Sequence, residues 1–489
     1  MVYHGRVLVL GIDLGTQSLK VVACDAATLA VRGSHAVPHA THTPQPGWAE
    51  QAPAAWEAGL APAIAGALAA AGARPEDVAA LAIAAQLDAC IPVDAAGAAL
   101  HPALIWHDRR AVDHTLAPPG LFELTGQIAD PSHLAPKIRW LQRVANVRAA
   151  RFHAPTSYLV SRLTGAHVLD PALASTTMLF DLAARRWAPS LLDAYGLTAA
   201  QLPAIAPATS VAGPLHAAGA ALTGLRVGTL VAVGTGDDFA NPLGAGLASP
   251  GFVACAIGTA EVVGALSDEL VLDRVAGEPM VETHAYPAGG YFVENPGWLA
   301  GGAVRWAARL LGVADDAAFD RLAASAPPGA DGVTFIPALA GAMTPVWRPH
   351  ARGTLHGLAA SHGPAHIARA VLEGLAFASR DVVERLAALG LDTRDVLVLG
   401  GGAASAVWTQ IRADVLGRPH HVAARTDTCA VAAAMIAAVA AGAHPDLRAA
   451  AACAPPSATI VTPGACPDAA YARYRRLVGE LAEVATAPW

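Results

Sequence analysis

The stretch VLVLGIDLGTQSLKVVACD, residues 7–25, sets two apolar, β-favouring runs on either side of a polar connection. Val7–Gly11 and Leu19–Cys24 are short and rich in β-branched residues, which predicts two buried strands. A bare hairpin needs only about two turn residues. The longer connection here offers backbone N–H groups, hydroxyls and, at its start, the carboxylate of Asp13. Such groups hold a phosphate chain and its divalent cation, with a decorated hairpin as the simpler alternative.

The composition favours a soluble protein of two or three domains. The chain has 489 residues, too many for one hydrophobic core. Its mean hydropathy is +0.41, and the excess of apolar residues is largely alanine. The most apolar stretch, Cys429–Ala443, is shorter than the roughly 20 residues that cross a bilayer. It is predicted to be a buried helix, and no membrane association is expected.

Charge and cysteine usage narrow the class of protein further. The net charge is −7 and there is no basic cluster, which disfavours nucleic-acid binding. The six cysteines are scattered and form no CxxC pair, as in proteins that keep their thiols reduced. The sequence therefore predicts a cytoplasmic enzyme.

Strand signals alternate with alanine- and leucine-rich helical signals, which predicts an α/β fold. Polar or glycine residues follow the C-terminal end of each predicted strand, where open α/β sheets bind their ligands. Beyond the first pair, the predicted strands are Ala79–Ala85, Leu104–Trp106, Val227–Val233, Phe252–Ile257 and Asp395–Leu399.

The sequence also contains a weak internal repeat. VLVLGIDLGT near the start and FVACAIGTAEVVGAL past the middle both read as strand, Gly-Thr turn and strand. Two domains that each present one such turn to a shared cleft would explain the repeat. The small-residue stretch Leu247–Gly251 marks the predicted boundary, which gives domains 1–248 and 249–489.

Asp237 and Asp238 are the strongest catalytic candidates. They follow a predicted strand within the glycine-rich segment Gly234–Asp238, where the backbone can approach a ligand closely. A carboxylate there could accept a proton from a hydroxyl that attacks a phosphoryl group. The alternative is a pair that caps the next helix. Walker A, GxGxxG, GxSxG and HExxH motifs are absent from the sequence, which removes the usual grounds for other nucleotide-binding and hydrolase classes.

Taken in order, these segments resemble the FGGY carbohydrate kinases. Gly11–Thr16 is similar to that family's first phosphate turn, Gly258-Thr259 to its second and Gly400–Ala403 to its adenosine turn. Gly234–Asp238 resembles the segment that carries the catalytic base. Further similar segments are Trp48–Gln51 with Trp56, Ala135–Leu141, Gly353–Leu358 and His366–Glu373.

The resemblance implies a two-domain, actin-like (ribonuclease H-like) ATPase fold and phosphoryl transfer from ATP with Mg²⁺. Asp237 would be the catalytic base and, with Asp13, a Mg²⁺ ligand. The sugar side would be lined by Trp48, Leu87, Asp88, Trp106, Asp108 and Asp238. The phosphates and nucleotide would be bound by Gly15, Thr16, Gln17, Lys20, Gly258, Thr259, Gly400, Gly401, Gly402 and Ala403.

Within the family, PALIWHDRR and LAIAAQLDAC are most similar to segments of bacterial xylulokinases, which implies phosphorylation of D-xylulose. Leu87-Asp88 replaces the family's sugar-site Met-His pair, Ala342 and Met343 replace its charged residues, and Asp238 replaces an asparagine. Kinases for L-ribulose, glycerol or a tetritol are therefore alternatives, as is an actin-like ATP-binding regulatory protein. The expected partner is a small sugar or polyol, and homodimer formation is left open.

Overall fold

The computed structural model describes residues 7–275, 277–348 and 351–484, and the chain divides into two compact units. The first unit consists of Met1–Ala248, Thr283–Tyr291 and Asp427–Ala454. The second consists of Ser249–Glu282, Phe292–Thr426 and Pro455–Trp489. Each unit is therefore built from segments that are far apart in the sequence.

The first unit is organised around one large mixed sheet. Leu8–Leu14 and Ser18–Asp25 form the predicted antiparallel hairpin, and Leu8–Leu14 runs parallel to Val78–Ala85 on its other side. Thr235–Gly236 also pairs with Val78–Ala85. The strand order across the sheet is Val31–Pro38, Ser18–Asp25, Leu8–Leu14, Val78–Ala85, Leu230–Ala232 and Val211–Pro214.

The other elements of this unit are helices and short strand pairs. The α-helices are Pro53–Ala71, Leu121–Thr125, Leu134–Arg143, Pro155–Thr164, Pro171–Ala174, Pro189–Tyr195, Ala217–Thr223, Asp237–Gly244, Thr428–Ala440 and Leu447–Ala451. The 3₁₀-helices are Pro75–Asp77, Val112–His114 and Ala199–Gln201. The short strands are Glu50–Gln51, Ile91–Val93, Ala103–Leu104, Arg151–His153, Val168–Leu169, Phe180–Asp181, Arg186–Trp187 and Ala204–Ile205.

The sheet of the second unit repeats this arrangement. Phe252–Ile257 pairs antiparallel with Ala260–Ser267 and parallel with Asp395–Leu399, just as the first hairpin does with its neighbour. The strand order is Tyr291–Leu299, Ala260–Ser267, Phe252–Ile257, Asp395–Leu399, His420–Val422 and Thr459–Val461. The repeat predicted from the two Gly-Thr segments is therefore present in the structure.

Helices and short elements complete the second unit. The α-helices are Gly301–Leu310, Asp316–Ala324, Pro364–Ala388, Ala406–Leu416 and Asp468–Val484. The 3₁₀-helices are Ala330–Gly332 and Gly401–Ala404, and the short strands are Thr334–Ile336 and Thr354–His356. Strand Glu282–Ala285 lies almost wholly in the first unit.

Three predicted strand boundaries were wrong. The first strand continues to Leu14, because that buried side chain pairs across the hairpin with Leu19, so Asp13 lies within the strand and not in the turn. The strand predicted at 227–233 begins only at Leu230, after Gly228 with its φ of +95°. The strand predicted at 104–106 ends at Leu104.

Helix Thr428–Ala440 confirms the prediction of a buried apolar helix, although it belongs to the first unit. It packs so closely on the first strand that a Cβ atom on Gly11 would lie 1.8 Å from the Ala430 carbonyl oxygen. A Cβ atom on Gly244 would lie 1.8 Å from the Thr428 carbonyl oxygen. Only glycine fits at these two contacts, so they fix where the helix lies.

Among the described residues, Pro53–Ala71 is the one helix with the length and hydropathy that a membrane span requires. Its side chains Trp56, Leu60 and Ile64 are buried in the same hydrophobic core as the first strands of the sheet. Packing within this core accounts for the apolar composition of the helix.

We predict that Gly11→Ala destabilises the first unit by about 3 kcal/mol or more, because a methyl group there must displace backbone. Gly59→Ala is the matched control, since its Cβ would lie 3.9 Å from the Leu19 side chain, an ordinary contact. In a helix interior that change is neutral or stabilising, by roughly 0.5–1 kcal/mol. Chemical denaturation followed by circular dichroism measures both, and equal stability of the two variants would contradict the close packing.

Candidate active site

Three carboxyl groups of the first unit interact with one another at the end of its sheet. Asp13 is the penultimate residue of the first strand, and Asp237 and Asp238 begin helix Asp237–Gly244, with Gly236 as the N-cap. Burial raises the pKa of Asp237 well above its ordinary value, and repulsion from Asp238 and Asp13 raises it further. The positive end of the helix dipole favours negative charge at this position. The result is a half-buried carboxylate with increased proton affinity.

Opposing effects act on the pKa of Asp13, and the net result is a raised pKa. Burial raises the pKa of Asp13, whereas a hydrogen bond from the Cys429 thiol and the charge of Lys20 lower it. Lys20 lies directly opposite Asp13 in the hairpin register. Cys429 comes from helix Thr428–Ala440, so two distant segments of the chain meet at this carboxylate.

The turn before Asp237 is held by a buried hydrogen-bond chain. The Thr235 hydroxyl donates to Asp170 at 2.8 Å, and the Thr156 hydroxyl donates to the Thr235 carbonyl oxygen at 2.9 Å. Asp170 also accepts from the Leu173 amide at the start of a short helix. Burial raises the pKa of Asp170 to about 7 despite these hydrogen bonds. These contacts fix the backbone that leads into Asp237.

The first Gly-Thr turn is supported from beneath by polar side chains. The Thr16 carbonyl oxygen accepts from Gln51 Nε2 at 2.7 Å, and the Thr16 hydroxyl accepts from Trp106 Nε1 at 3.0 Å. Gln51 is buried and also accepts hydrogen bonds from Trp56 and Gln86. Gln17 is exposed and Gly15 partly so, which leaves their backbone accessible.

Asp88 extends the cluster of carboxyl groups, because it lies close enough to Asp238 to repel it. The pKa of Asp238 is raised to about 7, first by burial and then by repulsion from Asp88, while His284 opposes the shift. Asp88 adopts the left-handed backbone region, with φ of +54°, and its carboxylate lies 3.4 Å from His133 Nδ1. Leu87 packs against Gly236, since a Cβ atom there would lie 2.1 Å from the Leu87 side chain.

Trp48 and Asp108 belong to one cluster. The guanidinium of Arg110 lies 3.7 Å from the centre of the Trp48 ring and pairs with Asp108 at 2.7 Å. Asp108 is fully buried and also accepts from the Ala49 amide at 2.6 Å. Asp108 therefore acts on the Trp48 loop through Arg110 and Ala49. Trp106, in contrast, is 37% exposed.

In the second unit, two glycine turns pack against each other: Gly258-Thr259 and Gly400–Ala403. Both follow parallel, adjacent strands, and Ile257 lies between the turns. A Cβ atom on Gly400 would lie 2.5 Å from the Ile257 carbonyl oxygen, and one on Gly402 would lie 2.3 Å from its side chain. Gly258 is exposed. Gly401 has open space on its Cβ side, and the Ala403 amide donates to the Gly400 carbonyl oxygen at 3.2 Å.

Sequence reasoning missed Arg305 and the proximity of His133 to Asp88. Arg305 lies on helix Gly301–Leu310, is exposed, and donates to the Thr259 hydroxyl at 3.0 Å. It brings a positive charge to the second Gly-Thr turn. The run of two glycines four and three residues before Arg305 is the one local signal that could have suggested a turn contact, since Gly301 and Gly302 approach Gly258 and Thr259.

Comparison with protein families identifies the chain. Residues 8–244 match the N-terminal domain of the FGGY family of carbohydrate kinases, and residues 253–441 match its C-terminal domain. The chain belongs to the FGGY family of carbohydrate kinases. The predicted family and the ATP-dependent phosphotransferase activity with an alcohol acceptor are confirmed at this level.

Relatives of the kinase include enzymes for two different acceptors. The chain is 32% identical to the xylulose kinase of Escherichia coli K12, over 84% of this chain and 85% of that one. It is 34% identical to a glycerol kinase of Citrifermentans bemidjiense, over 88% and 90%. The comparisons therefore leave open which acceptor the kinase uses.

Solved structures confirm the predicted actin-like two-domain fold. A structure described as a xyloylose kinase from Brucella ovis has a TM-score of 0.89 at 30% identity, covering 98% of this chain and all of that one. A xylulose kinase from Rhodospirillum rubrum has a TM-score of 0.86 at 28% identity, with the same coverage of the two chains.

We predict that Asp170→Asn gains stability relative to the wild-type kinase as the pH rises from about 4 to 8. The folded-state pKa of Asp170, about 7, lies above the value of 3.8 for an unperturbed aspartate. The native protein therefore binds more protons than the unfolded chain in this window, and its stability falls with rising pH. Asparagine removes that term while keeping the shape. Melting temperatures at several pH values measure the difference, and parallel curves would mean that Asp170 ionises normally.

Proposed function

We propose that this FGGY kinase transfers the γ-phosphoryl group of ATP to a hydroxyl of a neutral ketopentose, with D-xylulose as the first candidate and Asp237 as the general base. The observation that carries the proposal is the half-buried Asp237 carboxylate at a helix N-terminus, where burial and the charges of Asp238 and Asp13 raise its pKa well above its ordinary value. A base with raised proton affinity accepts the proton of the attacking hydroxyl more readily than an ordinary aspartate.

Asp13 and Asp237 are proposed to hold Mg²⁺, partly through water. Their mutual repulsion and burial describe two hard oxygen ligands whose charges are not fully balanced. Among the described residues there is no group of three or more His, Cys, Asp and Glu side chains arranged to hold a metal by themselves. This fits Mg²⁺, which protein sites commonly hold with one or two carboxylates together with phosphates and water. When bound, the ion would neutralise charge on the phosphates.

The glycine turns are proposed to bind the nucleotide through their backbone. In the first unit these groups are Gly15, Thr16, Gln17 and the side chain of Lys20; in the second they are Gly258, Thr259, Gly400, Gly401, Gly402 and Ala403. Arg305 is an additional candidate for a phosphate contact, because it is exposed and already bonded to Thr259. The proposed domains are residues 1–248 and 249–489. The proposed location of the kinase is the cytoplasm.

The sugar is proposed to bind against Trp48, Leu87, Asp88, Trp106 and Asp238. Asp108 supports this surface from behind, because its oxygens are already bonded to Arg110 and Ala49. Ionised carboxylates only accept hydrogen bonds, so Asp88 and, above its pKa of about 7, Asp238 favour an acceptor with several hydroxyl donors. They disfavour acidic sugars, since like charges repel strongly at close range in a partly buried site.

A glycerol kinase is the second candidate, and the glycerol kinases among the relatives favour it. Glycerol also offers hydroxyl donors, and neither Ala342 nor Met343 carries a charge that would select a larger sugar. The Met343 carbonyl oxygen is bonded to Asn295 within the second unit. L-Ribulose and a tetritol remain acceptors to be tested beside these two.

We expect Asp237→Asn to lower kcat by roughly 10²–10⁴-fold, the usual contribution of a single general base. Nucleotide affinity should change little, because the amide keeps the size of the carboxylate. Initial rates with ATP and isothermal titration with ADP measure the two quantities. Asp238→Asn, at the next position of the same helix turn, tests whether the base is assigned to the right residue. If that variant is inactive and Asp237→Asn is not, the base is assigned to the wrong residue.

A panel of acceptors separates the proposed substrates. We expect D-xylulose or another neutral ketopentose or pentitol to give the highest kcat/KM, and an analogue that lacks the hydroxyl facing Asp88 to be roughly ten- to a hundredfold poorer. Asp88→His should shift the ranking towards D-xylulose if that sugar is not already preferred. ADP release over ketopentoses, aldopentoses, glycerol, tetritols and sugar acids measures the ranking. Preference for a sugar acid, or a ranking indifferent to Asp88, would overturn this view of the pocket.

A further inference from the structure

The kinase contains very few lysines. Of its 32 lysine and arginine residues, only Lys20 and Lys137 are lysines. Lys20 faces Asp13 in the first hairpin. Arginine and lysine are not interchangeable where the geometry of the donor matters, because a guanidinium is a planar fork and an ammonium group is a single point. Lys137 is therefore a residue whose contacts should explain why arginine does not take its place.

Lys137 is fully buried, and its ammonium group donates three hydrogen bonds, all to main-chain carbonyl oxygens. The acceptors are Asp88 at 2.5 Å, Ile105 at 2.8 Å and Ser132. An ammonium group has three donors on one atom, and all three are used here. A guanidinium spreads its donors over a planar fork of three nitrogens and cannot reproduce this arrangement from one point.

The three carbonyl groups belong to three separate loops of the first unit. The first follows strand Val78–Ala85 and carries Asp88, whose left-handed backbone is costly for a residue other than glycine. The second carries Trp106, directly after Ile105. The third precedes helix Leu134–Arg143 and ends at His133, whose Nδ1 lies 3.4 Å from the Asp88 carboxylate.

We propose that Lys137 is a positioning residue of the acceptor pocket. Its single ammonium group fixes the loops of Asp88, Trp106 and His133 in position relative to one another. This inference rests on the proposed function, which assigns Asp88 and Trp106 to the acceptor side. It explains the retained lysine, because three backbone acceptors converge on one buried donor atom.

The charges around Lys137 give the proposal a distinctive pH signature. Burial lowers the pKa of Lys137 to about 8; the nearby Asp88, Asp108 and Cys90 oppose the shift, and Arg109 adds to it. His107 is a further titratable neighbour, and the charge of Lys137 lowers its pKa. A neutral amine has two N–H donors for three carbonyl groups, so above pH 8 one loop loses its hydrogen bond.

The free energy of unfolding should rise with pH over the range in which acceptor binding weakens. The folded-state pKa of about 8 lies below the 10.5 of an unperturbed lysine, so between these values the unfolded chain binds more protons. The contribution of Lys137 to stability therefore rises with pH over this window. This change in stability is set by the pKa alone. The positioning role therefore predicts weaker acceptor binding above pH 8 in a protein that is no less stable, and a parallel loss of both would contradict it.

The kinetic test uses Lys137→Arg and Lys137→Met, with Arg143→Met as the control at the exposed end of the same helix. We expect both Lys137 variants to raise the KM of the best acceptor roughly ten- to a hundredfold. The KM of ATP should stay within about twofold, because the ATP interactions are unchanged. In the wild type, acceptor KM should rise with an apparent pKa near 8. Normal acceptor KM in Lys137→Arg, or an equal rise in both KM values, would overturn the proposal.

Two measurements remain decisive if Lys137→Met does not fold or if no tested acceptor is phosphorylated. With lysine ¹³C-labelled at Cε, the wild-type kinase gives only two side-chain signals, and the Lys137 signal should titrate near pH 8. Hydrogen exchange in Lys137→Arg should accelerate at residues 86–90, 105–109 and 130–134 but not elsewhere in the first unit. An inactive wild type would contradict the proposed function alone. An ordinary lysine titration, or unchanged exchange in these loops, would contradict the positioning role.

Discussion

The close contact between helix Thr428–Ala440 and the first strand fixes where the carboxyl groups of Asp13 and Asp237 lie. Gly11 and Gly244 leave no room for a side chain at the two places where the helix backbone passes. The helix brings Cys429 to Asp13 and lies against the helix that Asp237 begins. The positions of two carboxylates from opposite ends of the N-terminal segment thus depend on a helix some 190 residues further along the chain.

Burial raises the pKa of several carboxyl groups of the site, because nearby positive charges do not fully compensate for the loss of water. Asp13, Asp237, Asp238 and Asp170 all have raised pKa values, and in each case burial is the largest cause. A charged group out of water is costly unless it is paired. At Asp13 and Asp237 this cost is consistent with the proposed uptake of a proton and binding of a cation. The backbone before Asp237 is reinforced by hydrogen bonds such as that from Thr235 to Asp170.

The local sequence pattern predicted the main strands correctly, but it did not predict where some of them begin or end. Phe252–Ile257 and Asp395–Leu399 were predicted to the residue, because each is an apolar run between clear turn signals. The first strand was predicted too short, since the pairing of Leu14 with Leu19 is a cross-strand interaction that a single run of sequence does not reveal. Arg305 was missed for a related reason, as its partner Thr259 lies 46 residues away.

By itself, the sequence determined the family, the repeated strand–Gly-Thr–strand unit and the candidate base, because these are encoded in short contiguous motifs. Tertiary structure alone decided that Asp108 is bonded within the protein, that His133 lies beside Asp88, and that Lys137 joins three loops. It also assigned Thr428–Ala440 to the first unit. These features depend on which distant groups meet in a low-dielectric interior, where hydrogen-bond partners and pKa values are set by packing and not by neighbours in the chain.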